Sequence, residues 1–492
     1  GVPKMGLMSK VRSKTFRKAA LAMLLEFAFN CMRQIMSVYI FLRYRLWGYK
    51  LPATVPTSVW KDFVQNHGMF QTHNLLAVSR EHSGSAINMI SIVGQPMFIT
   101  VEEVAHVEQV LTDKVGFATR GKTGFDWWVP QGLLALQTGP QWALHSKLIS
   151  RCLTTNFLKM YTTTITSKAS NLTDELDRAA ASGEVVDAQP LLARTTLDII
   201  ASMAFGIEFN ALKTDETSRW THAADTILDE TFLLTIMPPW MRYLGGRKEK
   251  FDGEIKWVRE QLQAHNIDKM GLGQIEDAHT TMIAQLRKVK DEEGLLSEEE
   301  IMQEVLTMGG AGHETTGNTV SWALYLVAKN PDAQAKLREE LDAHSAGSMP
   351  TFDEARNSLP YTLSTIYETL RIYPTVPLFP RQCTKAGVKI DGVDIPKGAM
   401  VIVVTNAIHR DARYFPEPLL FKPERFVGTK APANTLPVGA PNGPAFAFMP
   451  FGAGARTCVG QRFAILEAVV LLASIIKRFE VSIPVDEVDR VK

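Results

Sequence analysis

The hydrophobic and polar positions from about Trp142 onward follow long helical patterns with short breaks and no fixed-period repeat. The longest pattern, from Ser297 to Val327, predicts a helix of roughly 30 residues and about 45 Å. Ser297, followed three positions later by Glu300, is a capping signature at its start, and Pro331 marks its end. A helix of this length must cross the whole molecule.

Short strand-like segments follow at Val388–Ile395 and Met400–Thr405, and the turn-forming pair Asp391 and Gly392 interrupts the first. They predict a small sheet beside the helices. We find no linker that divides the chain. The predicted fold class is therefore mainly α, a single helical bundle with a long central helix and a small β-sheet subdomain.

The amino-terminal 56 residues form a basic segment. Six Lys or Arg residues precede the first acid, and an apolar stretch from Ala19 to Leu42 follows, interrupted by Glu26 and Arg33. These interruptions leave fewer than the roughly 18 uncharged apolar residues that a clean membrane span needs. Three interpretations stay open: an amino-terminal membrane anchor, an amphipathic helix in the headgroup region and an organellar transit peptide.

The composition of the chain disfavours several classes of function. With 492 residues, 46% hydrophobic and 21% charged, the chain has an ordinary globular composition. Its 53 Lys and Arg nearly balance its 52 Asp and Glu, and the net charge of +1 gives no strong field to attract nucleic acid. Cysteine spacing disfavours a disulfide framework or a zinc site. We expect small buried hydrophobes at three of the four cysteines, Cys31, Cys152 and Cys383.

The fourth cysteine, Cys458, lies in the segment PFGAGARTCVG at residues 450–460, directly before a long helical pattern. A cysteine where a loop enters a helix meets unpaired backbone N–H groups and the positive helix end, which favours the thiolate by about 0.3 to 2 kcal/mol. An electron-donating thiolate is the axial ligand that an iron cleaving an O–O bond needs. Gly454 then permits a tight turn, and Gly460 lets the backbone approach a flat macrocycle.

The same segment completes the pattern FxxGxRxCxG and so resembles the cytochrome P450 (haem-thiolate monooxygenase) family of the eukaryotic, reductase-dependent type. The resemblance implies the cytochrome P450 fold for residues 57–492 and haem b (iron protoporphyrin IX) as cofactor, with Cys458 as the axial iron ligand. Phe451 would exclude water from the sulfur, and Arg456 would pair with a haem propionate. The segment GYKLPATVP resembles the family's proline-rich hinge, so residues 1–56 become a possible membrane anchor and hinge.

The stretch GGAGHETTGNT lies inside the predicted long helix. Its glycines cost roughly 1 kcal/mol each relative to alanine. We therefore expect a locally opened helix over one haem face, with Ala311 and Gly312 near the cofactor and room for dioxygen. The resemblance implies that Glu314 and Thr315 form the acid and alcohol pair that relays protons during oxygen activation.

Two other interpretations of these motifs fail. HETTG is not the zinc motif HExxH, because Gly317 stands where the second histidine is required. Neither glycine run completes GxGxxG, since Thr315 and Thr457 occupy the third glycine positions. A dinucleotide site within this chain is therefore not supported.

The resemblance also implies a structural triad. Glu368 and Arg371 in YETLR stand three apart on one helix face, and Arg425 follows in PERF. Joined as a buried network, they would lock this helix to the loop that carries the cysteine. Losing one member would cost about 3 to 5 kcal/mol.

Two further residues match haem contacts of the family. Arg381 in PLFPRQ stands where the family has a propionate-binding arginine, and Trp142 matches a family tryptophan. Four residues after that tryptophan the family has a basic residue, but Ser146 stands here. His145 and Lys147 are the two candidates for this role, and the choice of partner stays open.

By the same resemblance, the substrate pocket is walled by residues that are apolar or small, namely Phe125, Trp128, Gly310, Val376 and Leu378. Such walls imply a lipophilic substrate, such as a fatty acid, sterol or terpenoid. The chain ends 34 residues after the cysteine, earlier than family members usually do. We therefore expect a truncated carboxyl terminus.

The sequence thus predicts a monooxygenase that hydroxylates or epoxidises a lipophilic substrate with O2. Because no flavin-binding extension is found, electrons from NADPH would arrive through a separate partner, cytochrome P450 reductase or a similar donor. A membrane surface is the expected location, in the endoplasmic reticulum or alternatively in a mitochondrion or plastid. Two alternatives stay open, a hydroperoxide-rearranging haem-thiolate enzyme and a non-enzymatic haem carrier or sensor.

Overall fold

A computed structural model gives the fold of nine stretches of the chain, residues 53–54, 87–90, 97–212, 216–236, 242–243, 245–264, 281–344, 349–428 and 443–484. Thirteen α-helices and seven β-strands lie within these stretches, which confirms the mainly helical fold class with a small sheet. Among the described helices, none combines the length and hydropathy that a bilayer span requires. The predicted anchor and hinge lie outside the described residues, apart from Ala53–Thr54, and so does Cys31.

The helices range from 5 to 32 residues in length. In chain order they are α1 (Val104–Thr112), α2 (Pro140–Arg151), α3 (Thr155–Ser182), α4 (Ala188–Phe205), α5 (Glu216–Ile236), α6 (Arg247–Ala264), α7 (Met282–Glu293), α8 (Glu298–Lys329), α9 (Pro331–His344), α10 (Phe352–Asn357), α11 (Pro360–Ile372), α12 (Thr405–His409) and α13 (Gln461–Arg478).

The strands form one five-stranded sheet and one hairpin. In the larger sheet the order is β1-β2-β3-β7-β4, with β3 parallel and β4 antiparallel to β7. The hairpin pairs β5 with β6, and its turn residues Asp391 and Gly392 both have positive φ, as the sequence predicted for a turn. The strand bounds are β1 (Ala53–Thr54), β2 (Ile87–Ile90), β3 (Phe98–Val101), β4 (Leu378–Gln382), β5 (Val388–Ile390), β6 (Val393–Ile395) and β7 (Met400–Val404).

Helix α8 is the predicted long helix. The Glu300 N–H donates to Ser297 Oγ at 3.2 Å, and the Ser297 N–H donates to the Glu300 carboxylate at 2.8 Å, which completes the predicted capping box. Asn330 ends the helix directly before proline. Half of the α8 residues are buried, and the helix packs on α4, α11 and α13.

The apolar core has two parts. The larger cluster gathers the inner faces of α3, α4, α8 and α13, and the smaller one packs beneath the five-stranded sheet. Cys152 lies in the first and Cys383 in the second, and both are buried, as predicted. These clusters hold α8 and the segment before α13 on one rigid frame.

The glycines of α8 bring it close to α4, which corrects the expectation of an opened helix. A β-carbon at Gly312 would lie 2.8 Å from Ile200 Cδ1 of α4, and one at Gly317 would lie 3.2 Å from the Ala193 backbone nitrogen. The helix is continuous from end to end. Close packing offsets the conformational cost of these glycines, because the space that a side chain at Gly312 would take is filled by Ile200 of α4.

Candidate active site

Cys458 lies in a tight loop between a 3-10 turn (Gly454–Arg456) and α13. The Cys458 N–H donates to the Phe451 carbonyl at 3.0 Å and closes the loop. Gly454 has φ of 74°, and a β-carbon there would lie 2.9 Å from the Leu111 carbonyl oxygen. Both the conformation and the close neighbour require glycine at this position.

The Cys458 side chain is exposed, although protein groups surround the sulfur. Burial raises the pKa of the thiol, and the N–H groups of Gly460 and Gln461, which donate to the sulfur, oppose that rise. A β-carbon at Gly460 would meet only the sulfur, at 3.8 Å. A sulfur in this position, at a helix start, is suited to ligate the metal of a flat cofactor.

Three arginines, of which Arg381 is buried and Arg120 and Arg456 are half-buried, lie near one another. Burial lowers the pKa of Arg120 to about 10, that of Arg381 to about 10 and that of Arg456 to about 9. Repulsion from Arg120 lowers the pKa of the other two further. Asp126, at 3.7 Å from Arg120, offsets part of the charge. The cluster is therefore suited to bind a dianion, such as the two propionates of haem.

Arg120 is a site residue that the sequence analysis missed. The Gln382 N–H donates to the Thr119 carbonyl at 2.8 Å, and this isolated bridge holds Arg120 beside Arg381 on β4. Within the described part of the chain, Arg120 Nε and Nη2 are buried without a hydrogen-bond partner. A single arginine in a loop carries no periodic signal, so only the tertiary structure identifies it.

Trp142 and Arg456 contact each other directly. The guanidinium carbon of Arg456 lies 4.3 Å from the centre of the Trp142 ring, a cation–π contact. Arg456 also donates to the Leu136 carbonyl at 2.6 Å. The structure thus brings two of the predicted cofactor contacts together and fixes the orientation of the guanidinium group.

The two basic candidates beside Ser146 differ in burial and contacts. His145 is buried, and its Nδ1 lies 2.6 Å from Glu304 Oε1 on α8, while Lys147 is exposed. The candidate His145 therefore contacts α8 and does not replace the missing base. Successive side chains of an α-helix are rotated by about 100° around its axis, so the His145 side chain points toward α8 and away from the direction of Ser146.

Glu314 and Thr315 are both half-buried on α8. Burial raises the pKa of Glu314. The Thr315 hydroxyl donates to the Ala311 carbonyl at 2.9 Å and keeps its lone pairs free to accept. Thr375, in the segment after α11, donates to the Thr315 carbonyl at 3.4 Å. The pair is thus held on one turn of α8.

An aromatic cluster lies against α8. The rings of Phe125 and Trp128 are 6.2 Å apart, and Phe125 meets Phe232 of α5 edge-on at 6.4 Å. A β-carbon at Gly310 would lie 3.2 Å from the Trp128 ring and 3.8 Å from Leu228. The structure therefore brings together three residues named for the pocket, Phe125, Trp128 and Gly310.

The other two pocket residues follow α11. Val376 is 43% exposed, and Leu378 is half-buried at the start of β4. Thr375 and Thr319 share a hydroxyl hydrogen bond of 2.9 Å, which holds this segment against α8 one turn beyond Thr315. Both groups of predicted pocket residues thus border α8.

Glu368, Arg371 and Arg425 meet in a buried network. Arg371 donates to both carboxylate oxygens of Glu368 at 2.8 Å, and Arg425 Nε donates at 3.2 Å. Arg371 also donates to the carbonyls of His409, at 2.9 Å, and Pro418, at 2.7 Å. The network therefore joins α11 to the segment that precedes the cysteine loop.

His409 extends this network to the cysteine loop and is a second residue that the sequence analysis missed. Its Nε2 accepts from the Met449 N–H at 2.9 Å, and its Nδ1 faces the Leu370 carbonyl. Burial, followed by repulsion from Arg371, lowers the pKa of His409 to about 3. The ring is therefore neutral at pH 7, as an acceptor at Nε2 requires.

The network predicts a large loss of stability for Arg371→Ala. The free energy of unfolding should fall by about 3 to 5 kcal/mol, because Glu368 is left buried and unpaired. Arg178→Ala is the matched control, since it breaks an exposed pair with Glu175 of the same spacing, and should cost less than about 0.5 kcal/mol. Urea unfolding followed by circular dichroism measures both. Equal costs would contradict the network.

His409 also predicts a pH dependence of stability. Between about pH 6.5 and pH 3 the unfolded chain binds a proton at this ring that the folded state does not. Stability should therefore decrease as the pH falls through this range, by about 1.4 kcal/mol per pH unit. The glutamine side chain of His409→Gln keeps an acceptor and a donor but does not titrate. The slope of the free energy of unfolding against pH should therefore decrease by the amount that one bound proton contributes. Urea midpoints from pH 7 to 4 measure this, and identical slopes would refute it.

Comparisons with known proteins agree with the geometry. The family model Cytochrome P450 matches residues 60–491. Cytochrome P450 4V2 of Mus musculus is 30% identical over 72% of this chain and 68% of its own. Cytochrome P450 4B1 of Rattus norvegicus is 29% identical over 72% of this chain and 70% of its own. Cytochrome P450 3A31 of Mesocricetus auratus is 28% identical over 78% of this chain and 77% of its own. With matches of this extent around a cysteine loop of this geometry, the chain belongs to the cytochrome P450 family of haem b-dependent monooxygenases.

Proposed function

We propose that this chain hydroxylates or epoxidises a lipophilic substrate with O2 and with electrons from a separate reductase. The observation that carries the proposal is the Cys458 sulfur, which is exposed at the start of α13 and accepts from the N–H groups of Gly460 and Gln461. Haem b, when bound, supplies an iron that activates O2 for insertion into a C–H or C=C bond. Cys458 would hold that iron as a thiolate.

The arginine cluster would orient the cofactor. Arg120, Arg381 and Arg456 would bind the propionates, because buried guanidinium groups with few acceptors gain charge-assisted hydrogen bonds from carboxylates. Trp142 would keep Arg456 in place by stacking. Phe451, which is half-buried, would limit the access of water to the sulfur.

Glu314 and Thr315 would deliver protons. Because burial raises the pKa of Glu314, its carboxyl keeps a proton nearer to neutral pH than a free glutamate does, as a general acid must. The Thr315 hydroxyl donates to the Ala311 carbonyl, so its O–H bond has to turn about Cβ–Oγ before it can donate elsewhere. Thr375 supports this turn of α8 from outside the helix.

The pocket supports a fatty acid, sterol or terpenoid as substrate. Its walls would be Phe125, Trp128, Gly310, Val376 and Leu378, all apolar or without a side chain. Electrons from NADPH would come through cytochrome P450 reductase or a similar donor. The basic and apolar amino-terminal segment supports a membrane surface, that of the endoplasmic reticulum or, as the alternative, of a mitochondrion or plastid.

Two competing activities make different demands on these residues. A hydroperoxide-rearranging enzyme needs no proton donor at the distal side, and Glu314 with Thr315 argues against it. A haem carrier or sensor needs no reductase, so turnover that depends on a reductase would exclude it.

Replacement of the sulfur tests the ligand. Cys458→Ala should abolish the red-shifted Soret band of the reduced carbonyl complex, because that shift requires thiolate donation to the iron. Cys152→Ala is the control: burial raises the pKa of Cys152 to about 12, so this thiol is not a ligand, and the band should persist. A retained band in Cys458→Ala would place the ligand elsewhere.

Replacement of the alcohol tests proton delivery. Thr315→Ala should keep haem but divert reducing equivalents into hydrogen peroxide, with coupled product formation lowered by about tenfold or more. Thr315→Ser should restore most of the coupling because the hydroxyl returns. Product and peroxide per NADPH, measured with a lipophilic compound such as dodecanoic acid that shifts the haem spectrum, give the result. Unchanged coupling in Thr315→Ala would remove Thr315 from the relay.

A further inference from the structure

One face of α5 lies across α8 at the acid and alcohol pair. Leu228 of α5 comes within 3.8 Å of the β-carbon position at Gly310. Asp225 Oδ1 lies 3.9 Å from His313 Nε2. Asp225, Leu228 and Asp229 have the spacing i, i+3, i+4 and so share this face of α5. Two carboxylates are therefore placed beside the turn of α8 that carries Glu314.

These carboxylates reach solvent, whereas the α8 side chains next to them are buried or half-buried. Asp225 and Asp229 are exposed, the Asp225 side chain by 59%. His313 is fully buried, and its Nδ1 donates to the Gly309 carbonyl at 3.3 Å. Its Nε2 is directed at Asp225 and, among the described residues, has no hydrogen-bond partner. The passage from solvent to α8 is therefore polar at this point.

The charges around Glu314 are mostly negative on its α5 side. Burial is the largest cause of the raised pKa of Glu314, the His313 ring opposes it, and repulsion from Asp225 and Asp229 adds to it. Asn318, one turn further along α8, donates to the Glu314 carboxylate and opposes the rise. A carboxyl in this setting stays protonated at higher pH, and its chain neighbour His313 lies 3.9 Å from Asp225.

The pKa of the second acid, Asp229, is also raised. Although the residue as a whole is exposed, partial burial of its carboxyl raises its pKa, repulsion from Asp225 and from Glu230 of the same helix adds to the rise, and Lys250 of α6 opposes it. Like charges at this spacing destabilise a helix face.

We propose that Asp225 and Asp229 form the solvent-side entrance of the proton path to Glu314. The inference rests on the proposed function, because it takes Glu314 and Thr315 as the proton donors. A proton would leave bulk water, bind to one aspartate and move to the Glu314 carboxylate after Glu314 has given up its own. The aspartate is then ionised again, and no electron moves in these steps.

A pH titration of Glu314 tests the coupling without turnover. The carboxylic C=O band of Glu314 is assigned in infrared difference spectra of the holoenzyme by its loss in Glu314→Gln. In the double variant Asp225→Asn, Asp229→Asn the midpoint of this band should move to lower pH by about half a unit, a threefold change in the ratio of protonated to ionised Glu314. Glu230→Gln is the matched control, since it removes a charge from α5 that pairs with Arg247 at 3.0 Å, and it should leave the midpoint unchanged.

Proton delivery is then measured directly. The double variant should lower the coupled fraction of NADPH, with dodecanoic acid as probe, by about threefold. It should also raise the solvent deuterium isotope effect on product formation, because proton entry becomes slower. An unchanged carbonyl spectrum and an equal or higher urea midpoint would show that the variant is folded.

The outcomes separate this inference from the function on which it rests. If Glu314→Gln and Thr315→Ala uncouple the enzyme but the double variant matches the wild type in coupling, isotope effect and Glu314 midpoint, the entrance at α5 is refuted and the proposed function stands. If Glu314→Gln and Thr315→Ala are themselves fully coupled, the proposed function fails. A shifted midpoint together with lowered coupling supports both.

Discussion

The shared positive charge of Arg120, Arg381 and Arg456 is the constraint on which the site depends. The three side chains come from a loop, from β4 and from the cysteine loop, and burial with mutual repulsion lowers the pKa of the last two. Such a cluster is costly until an anion enters it. Binding of a dianionic cofactor would therefore stabilise the contacts that bring these segments together, so assembly of the site and cofactor binding are linked.

The cysteine loop is supported from behind by groups that do not react. Glu368 and Arg371 are both fully buried, and His409 carries the network to the Met449 N–H a few residues before the sulfur. Because His409 is neutral, it adds no further charge to a region that already holds Arg371. The loop thus receives a rigid support, and the electrostatics near the sulfur are left to backbone N–H groups.

Local signals in the sequence were sufficient for the helices and for the main motifs. The capping pair at Ser297 and the proline after Asn330 predicted the bounds of α8, and Asp391 with Gly392 predicted the β5–β6 turn. What failed depends on neighbours that are remote in sequence. The role of Arg120 depends on its position beside β4, and the orientation of His145 depends on its contact with Glu304 of α8. Periodicity cannot encode such contacts, because it describes one element at a time.

The contact between Gly312 and Ile200 has an evolutionary consequence. At this crossing of α8 and α4 a β-carbon on one helix and the δ-methyl group on the other would lie 2.8 Å apart. Neither position can gain volume unless the other loses it or the helices separate. In homologues that keep this helix spacing, residue sizes at 312 and 200 should therefore covary inversely, a signal that alignment columns record without any knowledge of haem chemistry.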